Sequence, residues 1–278
     1  MAPGGTAAAA RIEALGFDPA ALAHEAVPAC NLCGSTDPPR ELARRDRYGY
    51  PVRSVACRRC GLVYLSPRLA AAGYARFYES VYRPLVSAYH GRRIDAETLP
   101  AEQRAYAADL AAYLAPHLPG PPATILDVGG STGTVAAALA ARLGGRATVL
   151  DPAPAELAVA RAAGLEAVAG FAEDFDAGGR TWDLVLLCQA VDHLLDVAAT
   201  LAALAAMTAP GGRAFVDIVD LDLVVARVGA MERAAKIDHP YYLTGATARA
   251  YFAGAGFEVV DEAVAAADHR RFVLLPAR

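Results

Sequence analysis

Residues 125–133 read ILDVGGSTG, and the run TVAAALAARL follows directly at 134–143. A short apolar strand ends near Asp127, turns through glycines and enters a helix, which is how a ligand-binding α/β domain opens. Gly129, Gly130 and Gly133 let the backbone approach a ligand closely and take positive φ, and the helix start behind them leaves N–H groups without intrahelical partners. The spacing misses the G-x-G-x-x-G pattern that seats a dinucleotide pyrophosphate. It suits an adenosyl cofactor without phosphates, which wants an acid just before the loop and D-x-G-x-G-x-G-like spacing. Asp127, Gly129 and Gly133 fill those places, with Ser131 in the position of the middle glycine.

Downstream residues extend the pattern. The run VLDP places Asp151 at the C-terminal edge of a second strand, where a carboxylate accepts ribose hydroxyls; the same residue is also placed to cap the helix that follows. After a third strand comes GFAEDFD, in which Glu173 or Asp174 is positioned to face an adenine amine or simply to remain a solvated acid. Strands are expected at Thr124–Val128, Ala147–Leu150, Glu166–Val168, Leu184–Leu187, Arg213–Ile218, Phe257–Val260 and Phe272–Leu275, with helical stretches between most of them. That alternation predicts an α/β, doubly wound sheet. The last two strands are joined by too few residues for a helical crossover, so they should pair antiparallel.

The N-terminal half has a different texture. Residues 1–27 are Ala-rich and read as a helical extension, 28–68 hold cysteines among turn residues, and 69–118 show helical spacing in LAAAGYARFYESVY and AEQRAYAADLAAYLAPHL. The break PGPPA at 119–123 then opens the cofactor domain, 119–278. Cys30-x-x-Cys33 and Cys57-x-x-Cys60 each precede glycine, as CNLCG and CRRCG. Two such knuckles give a four-thiolate tetrahedral site, the usual geometry of structural zinc, with no open position for catalysis. A segment of some 40 residues can hardly fold on its own core, so bound metal is expected to stabilise it. Cys188, in LVLLCQ, reads as a small buried apolar residue.

The motif series ILDVGGSTG, VLDP, GFAEDFD, WDLVLLCQAVDHLLD, APGGR and AGFEVV resembles that of class I S-adenosylmethionine (SAM)-dependent methyltransferases over residues 124–275. The resemblance implies a Rossmann-like seven-stranded sheet with an antiparallel last strand. By residue-wise carry-over, Asp127 and the loop Gly129, Gly130, Ser131 and Gly133 would hold the methionine end of SAM, and Asp151 the ribose. Phe171, Ala172 and Glu173 would border adenine, while Gln189 and Ala190 would lie beside the sulfonium. Phe171 departs from the acid or small polar residue that many relatives carry. The combination CNLCGS, CRRCGLVYLSPR and FYESVYR also resembles a bacterial methyltransferase subgroup with an N-terminal zinc ribbon, whose members often act on small molecules, including sugars and natural products. That likeness implies a helix around Phe77–Arg83 folding over the cofactor, with Tyr82 reaching its carboxylate or packing as part of an aromatic stripe.

Methyl transfer to oxygen or carbon usually needs a base to remove the acceptor proton, and histidine titrates in the useful range. His193, in QAVDHLLD, follows the fourth strand at the ligand-binding edge; His239 lies in KIDHPYYLT. Either is a candidate base, with Asp192 or Asp238 to orient the ring and Tyr241 and Tyr242 to shape an acceptor pocket. The formal charge of −4 divides into +5 over residues 1–95 and −9 over the rest. That basic excess is too modest, and too free of stacking motifs, to favour a nucleic-acid acceptor. Lys236 is the single lysine, so the arginine richness reads as coding bias. The expected partner is a small-molecule methyl acceptor. The competing readings are a nucleic-acid or protein methyltransferase and a non-catalytic SAM- or nucleotide-binding protein. No apolar run reaches the roughly 18 residues of a membrane span, and the N-terminus does not read as a signal peptide, so a cytoplasmic location is expected.

Overall fold

The computed structural model describes residues 6–94, 98–265 and 268–277; the first five residues of the N-terminal extension lie outside that set. The chain begins with α1 (Thr6–Glu13), β1 (His24–Glu25), β2 (Arg40–Ala43), β3 (Ser54–Ala56), β4 (Val63–Leu65) and β5 (Arg68–Leu69). Helices α2 (Ala71–Ser80), α3 (Tyr82–His90) and α4 (Leu99–Leu114) follow. Then come β6 (Thr124–Val128), α5 (Thr134–Leu143), β7 (Arg146–Asp151), α6 (Pro154–Ala162) and β8 (Glu166–Ala169). After β9 (Trp182–Leu187), α7 (Val197–Met207) and β10 (Thr208–Val219), the chain forms α8 (Leu221–Val228), α9 (Met231–Ala234) and β11 (Tyr241–Tyr242). It ends with α10 (Gly245–Gly254), β12 (Phe257–Val264) and β13 (His269–Pro276). None of the helices among the described residues is long and apolar enough to cross a membrane.

The chain divides into two compact units. One holds Pro100–Val191, Asp196–Ile218 and Ala248–Arg278. Among the described residues, its sheet has seven strands in the order β12-β13-β10-β9-β6-β7-β8. The pairs β10–β9, β9–β6, β6–β7 and β7–β8 are parallel, and β12–β13 is antiparallel. Strand LVLL is apolar throughout, and ILDV is apolar but for Asp127, because helices cover the sheet. Leu110 and Leu114 of α4, Val135 and Leu139 of α5 and Leu157 of α6 pack on Ile125, Val149, Leu184, Leu186 and Phe215. All seven expected strands are present, several longer than the sequence suggested. β10 starts at Thr208, five residues before the expected Arg213, because the APGGR turn is absorbed as a register shift against β9 between Thr208 and Arg213. Parallel registry brings the ends of β6, β7 and β9 to one edge, with Asp127 opposite both Val149 and Leu186.

The other unit holds Met1–Leu99, Asp192–Leu195 and Val219–Thr247. Its main sheet runs β11-β4-β3-β2, every pair antiparallel, and β1 pairs with β5. The expected linear segments 1–27, 28–68, 69–118 and 119–278 do not coincide with these units. Tyr241 and Tyr242 pair with Tyr64 and Val63, so a segment from deep in the cofactor half completes the cysteine-bearing sheet. One core is shared across the unit: Val52, Val63 and Leu65 join Phe77, Leu85, Leu221, Val224, Ile237 and Tyr242. The cysteine segment therefore does not stand on its own core, as its length demanded.

Candidate functional site

The glycine loop in the seven-stranded unit is built around Asp127. Its side chain is 1% exposed, and among the described residues neither carboxylate oxygen has a hydrogen-bond partner. A buried, unpaired carboxylate is costly unless a cation or donors meet it. Burial raises its pKa to about 7, with the nearby Asp151 charge adding to the effect. Gly130 lies directly over it: a Cβ there would stand 2.8 Å from the Asp127 carboxyl. Gly133 turns at φ 74° into α5, where a Cβ would stand 2.4 Å from Leu165, so both glycines are sterically required. Gly129 has φ 69° and Ser131 φ 53°.

Asp151 holds this loop from the end of β7. One carboxylate oxygen accepts the Ser131 N–H at 2.9 Å and the other the Ala153 N–H at 2.8 Å, while the Ser131 hydroxyl donates to Glu156 at 2.8 Å. The capping role expected of Asp151 is thus a turn cap at Ala153, the residue before α6. Each oxygen keeps a lone pair for a further donor. Ala172 is buried; Phe171 is 54% exposed. Glu173 accepts from the Thr200 hydroxyl at 3.1 Å, and Asp174 is exposed.

Past β9, Gln189 adopts φ 52°, and its N–H donates to Asp217 on β10 at 2.6 Å. The other Asp217 oxygen accepts from the Tyr106 hydroxyl at 2.9 Å. Sequence reading missed Asp217 and Tyr106. Asp217 stands in the apolar run AFVDIV, where an acid in a buried strand was the available signal. Cys188 lies one residue beyond β9, half-buried and packed against the apolar core of the sheet.

The histidines lie together in the other unit. Their ring centroids are 4.8 Å apart. His193 Nδ1 is 2.6 Å from the Tyr78 hydroxyl and 3.2 Å from the Asp238 main-chain carbonyl; Tyr78 also donates to that carbonyl, at 3.2 Å. A carbonyl only accepts, so the network favours a proton on Nδ1 and a basic Nε2. Burial lowers the His193 pKa, with Lys236 adding to the effect against Asp238, which keeps the ring neutral and able to accept a proton. His239 differs: its Nε2 lies 3.0 Å from the Lys236 ammonium and 3.5 Å from an Asp238 carboxylate oxygen. Burial brings the Lys236 pKa down to about 8. The single lysine, to which the sequence reading gave no role, is an inward-facing group beside a candidate base. His193, Asp238 and His239 also form a group with metal-ligand spacing, but the Lys236 ammonium already stands at the His239 nitrogen.

Orientation of His193 comes from the Asp238 carbonyl and Tyr78. The carboxylate of Asp192, one of the two acids expected to do this, accepts from the Val219 N–H at 3.3 Å. Tyr82 packs on Tyr78 with centroids 5.1 Å apart, and burial raises its pKa to about 12. Tyr241 and Tyr242 are buried in β11. The Tyr241 hydroxyl bonds Arg68 and the Leu195 carbonyl, and that of Tyr242 bonds the Lys236 backbone, so both hydroxyls hold the fold together.

Cys30, Cys33, Cys57 and Cys60 converge, with all four sulfurs within 4.8 Å of one another. The Cys30–Cys60 and Cys33–Cys57 sulfurs are 3.5 and 3.6 Å apart, close to the ~3.8 Å edge of a tetrahedron with metal–sulfur bonds of about 2.3 Å. Each knuckle closes alike: Gly34 N–H donates to the Cys30 carbonyl and Gly61 N–H to that of Cys57.

A seven-stranded sheet with an antiparallel final pair, a glycine loop over a buried acid and a second acid at the end of β7 define a methyltransferase-type α/β domain. Residues 100–262 match the family described as "Methyltransferase domain", and the chain belongs to that family. Over 118 residues it is 35% identical to ubiquinone biosynthesis O-methyltransferase of Methylobacterium sp. (strain 4-46), covering 38% of this chain and 46% of that protein. The chain thus spans about half the length of that curated relative. Among solved structures it resembles CalO1, the methyltransferase in calicheamicin biosynthesis, with TM-score 0.54, 18% identity, and coverage of 73% of this chain and 60% of that one. It also resembles magnesium protoporphyrin IX methyltransferase (ChlM) from Synechocystis PCC 6803, with TM-score 0.52, 15% identity, and coverage of 66% and 89%. At these identities the structural likeness establishes the fold.

Proposed function

We propose that the chain is a SAM-dependent methyltransferase acting on oxygen or carbon of a small-molecule acceptor, such as a sugar or natural-product intermediate, with a histidine base and one structural zinc ion. The observation that carries the cofactor reading is the buried Asp127 carboxylate beneath the glycine loop, its two oxygens without partners among the described residues. A SAM ammonium group is a fitting counter-charge. Asp151 has lone pairs left for ribose hydroxyls, Phe171, Ala172 and Glu173 would border adenine, and Gln189 with Ala190 would face the sulfonium. Tyr82 is proposed to reach the cofactor carboxylate. When bound, SAM supplies an electrophilic methyl group. The chain aligns donor and acceptor and keeps water out, and His193 Nε2 takes the acceptor proton. His193 is preferred to His239 because the Lys236 ammonium engages the His239 nitrogen. The four-cysteine cluster matches zinc in donor set and spacing and leaves no position for an acceptor.

Calorimetric titration with SAM, using NAD as control, tests this reading. Saturable micromolar SAM binding without NAD binding is expected, and Asp151→Ala should weaken it by about 30-fold or more through lost charge-assisted hydrogen bonds. Folded, zinc-loaded protein that fails to bind SAM would remove the basis for the reading.

The pH dependence follows from Asp127. Its carboxyl must be ionised to meet an ammonium group, and its pKa lies at about 7. SAM affinity should therefore rise about tenfold from pH 6 to pH 8, and Asp127→Asn should flatten that rise. The sign for the ligand-free protein is opposite. The folded pKa exceeds the unfolded one, so the native state binds more protons between about pH 4 and pH 7 and loses stability as pH rises through that window. A pH-independent SAM affinity in the wild type would contradict the assignment.

A further inference from the structure

The loop that carries Lys236 and His239 is held largely by residues more than 150 positions earlier in the chain. Ala235 C=O accepts the Arg47 N–H at 2.9 Å, and Pro240 C=O accepts the Leu65 N–H at 2.9 Å. The Ile237 carbonyl accepts from the Tyr74 hydroxyl and that of Asp238 from Tyr78, each at 3.2 Å. Lys236 N–H donates to the Tyr242 hydroxyl at 2.7 Å, and that hydroxyl donates back to the Lys236 carbonyl at 2.7 Å. The one carboxylate in this set is Asp46, in the β2–β3 connection. It is 4% exposed; one of its oxygens accepts the Ile237 N–H at 2.9 Å, and the other accepts the N–H groups of Tyr48 at 3.0 Å and Tyr50 at 2.9 Å.

We propose that Asp46 is a positioning residue: it ties the turn of the cysteine-bearing sheet to the backbone of residues 235–240 and thereby sets where the His239 ring, the Lys236 ammonium and the Asp238 carbonyl that orients His193 lie. Nothing in the motif series assigns it a role, and the reaction chemistry does not touch it. A buried acid with three main-chain donors has a cost to bear, since burial lifts its pKa to about 7 despite those bonds. An apolar residue would avoid that cost, but would leave the Ile237, Tyr48 and Tyr50 N–H groups buried without partners. The cysteine-bearing sheet thus serves the histidine pair: β4 pairs with β11, which begins two residues after His239, and Asp46 grips Ile237, two residues before it. Its catalytic meaning rests on the histidine-base reading proposed above, but the positioning itself does not.

Asp46→Asn is the diagnostic change in the zinc-loaded 278-residue chain. The amide oxygen still accepts from Tyr48 and Tyr50, while its NH₂ faces the Ile237 N–H donor to donor and cannot hold it. Two readouts need no methyl acceptor. Hydrogen exchange followed by mass spectrometry should show at least about tenfold faster exchange in peptides covering 235–243, with β6, β7 and β9 unchanged. NMR of the histidine rings should show His193 titrating upward, toward the ordinary value of about 6.5, as water enters. Should Asp46→Asn loosen the whole chain, Asp46→Glu, which keeps the carboxylate but shifts it by one methylene from the Ile237 N–H, decides the matter. The same local signature would support the proposal, and global loosening in both variants would overturn it. Unchanged exchange at 235–243 and an unmoved His193 titration in Asp46→Asn would also overturn it. Faster exchange without any change in turnover would instead overturn the base role of the histidines, so the two failures are distinguishable.

Discussion

Replacement of His193 by alanine is expected to lower kcat by about 10²–10⁴-fold, with SAM affinity changed by less than roughly twofold. Two features set that magnitude. The ring is neutral, because burial lowers its pKa, and its Nδ1 is anchored by the Tyr78 hydroxyl and the Asp238 carbonyl, which favours a basic Nε2. Methyl transfer to a hydroxyl or an acidic carbon needs that proton acceptor in the transition state, whereas cofactor binding does not. The measurement is formation of the demethylated cofactor against whichever acceptor emerges from a screen of small oxygen and carbon acceptors, paired with calorimetry for SAM. His239→Ala should cost less in kcat, about 10-fold, because it acts beside Lys236 rather than on the acceptor. If the double alanine variant turns over at the wild-type rate while binding SAM normally, neither histidine is the base.

Chelation of the proposed zinc ion, or Cys57→Ser, is expected to cause the largest loss of stability. A structural zinc ion contributes an apparent ~10–16 kcal/mol in small cysteine modules, comparable to the whole stability of a domain. Here the loss should be smaller, because β3 and β4 also pack into a core shared with α2, α3 and α8. A fall in melting temperature of about 10 °C or more is expected, together with release of about one zinc ion per chain measured by elemental analysis. Unfolding of the four-stranded sheet should also free β11 and the loop before it, so turnover should disappear before SAM binding does. A Cys57→Ser chain with unchanged melting temperature and no zinc would show the cluster to be four thiols without a metal.

Much of this protein is legible along the chain, because the features concerned are local. A strand of apolar residues, an acid and three glycines at fixed spacing impose one backbone path, and the structure has it at 124–133. The antiparallel final pair follows from a connection too short for a crossover. Two C-x-x-C-G knuckles predict a converging cluster, and their sulfurs converge. The residues that escaped reading act across distance. Asp217 reaches Gln189, Asp46 reaches Ile237 and Tyr78 reaches His193. None has a neighbour in sequence that announces its partner.

By itself, then, the sequence determined the seven-stranded sheet, the loop that would receive a cofactor and the four converging thiols, since each rests on periodicity or on spacing within a few dozen residues. Only the tertiary structure decided that the cysteine sheet takes its edge strand from residues 241–242, that the two histidines stand 4.8 Å apart, and that a carbonyl and a tyrosine orient His193 where a carboxylate was expected. The physical reason is the same in each case. Buried backbone groups and buried charges must be satisfied, and the partners that satisfy them are set by how the chain folds back on itself.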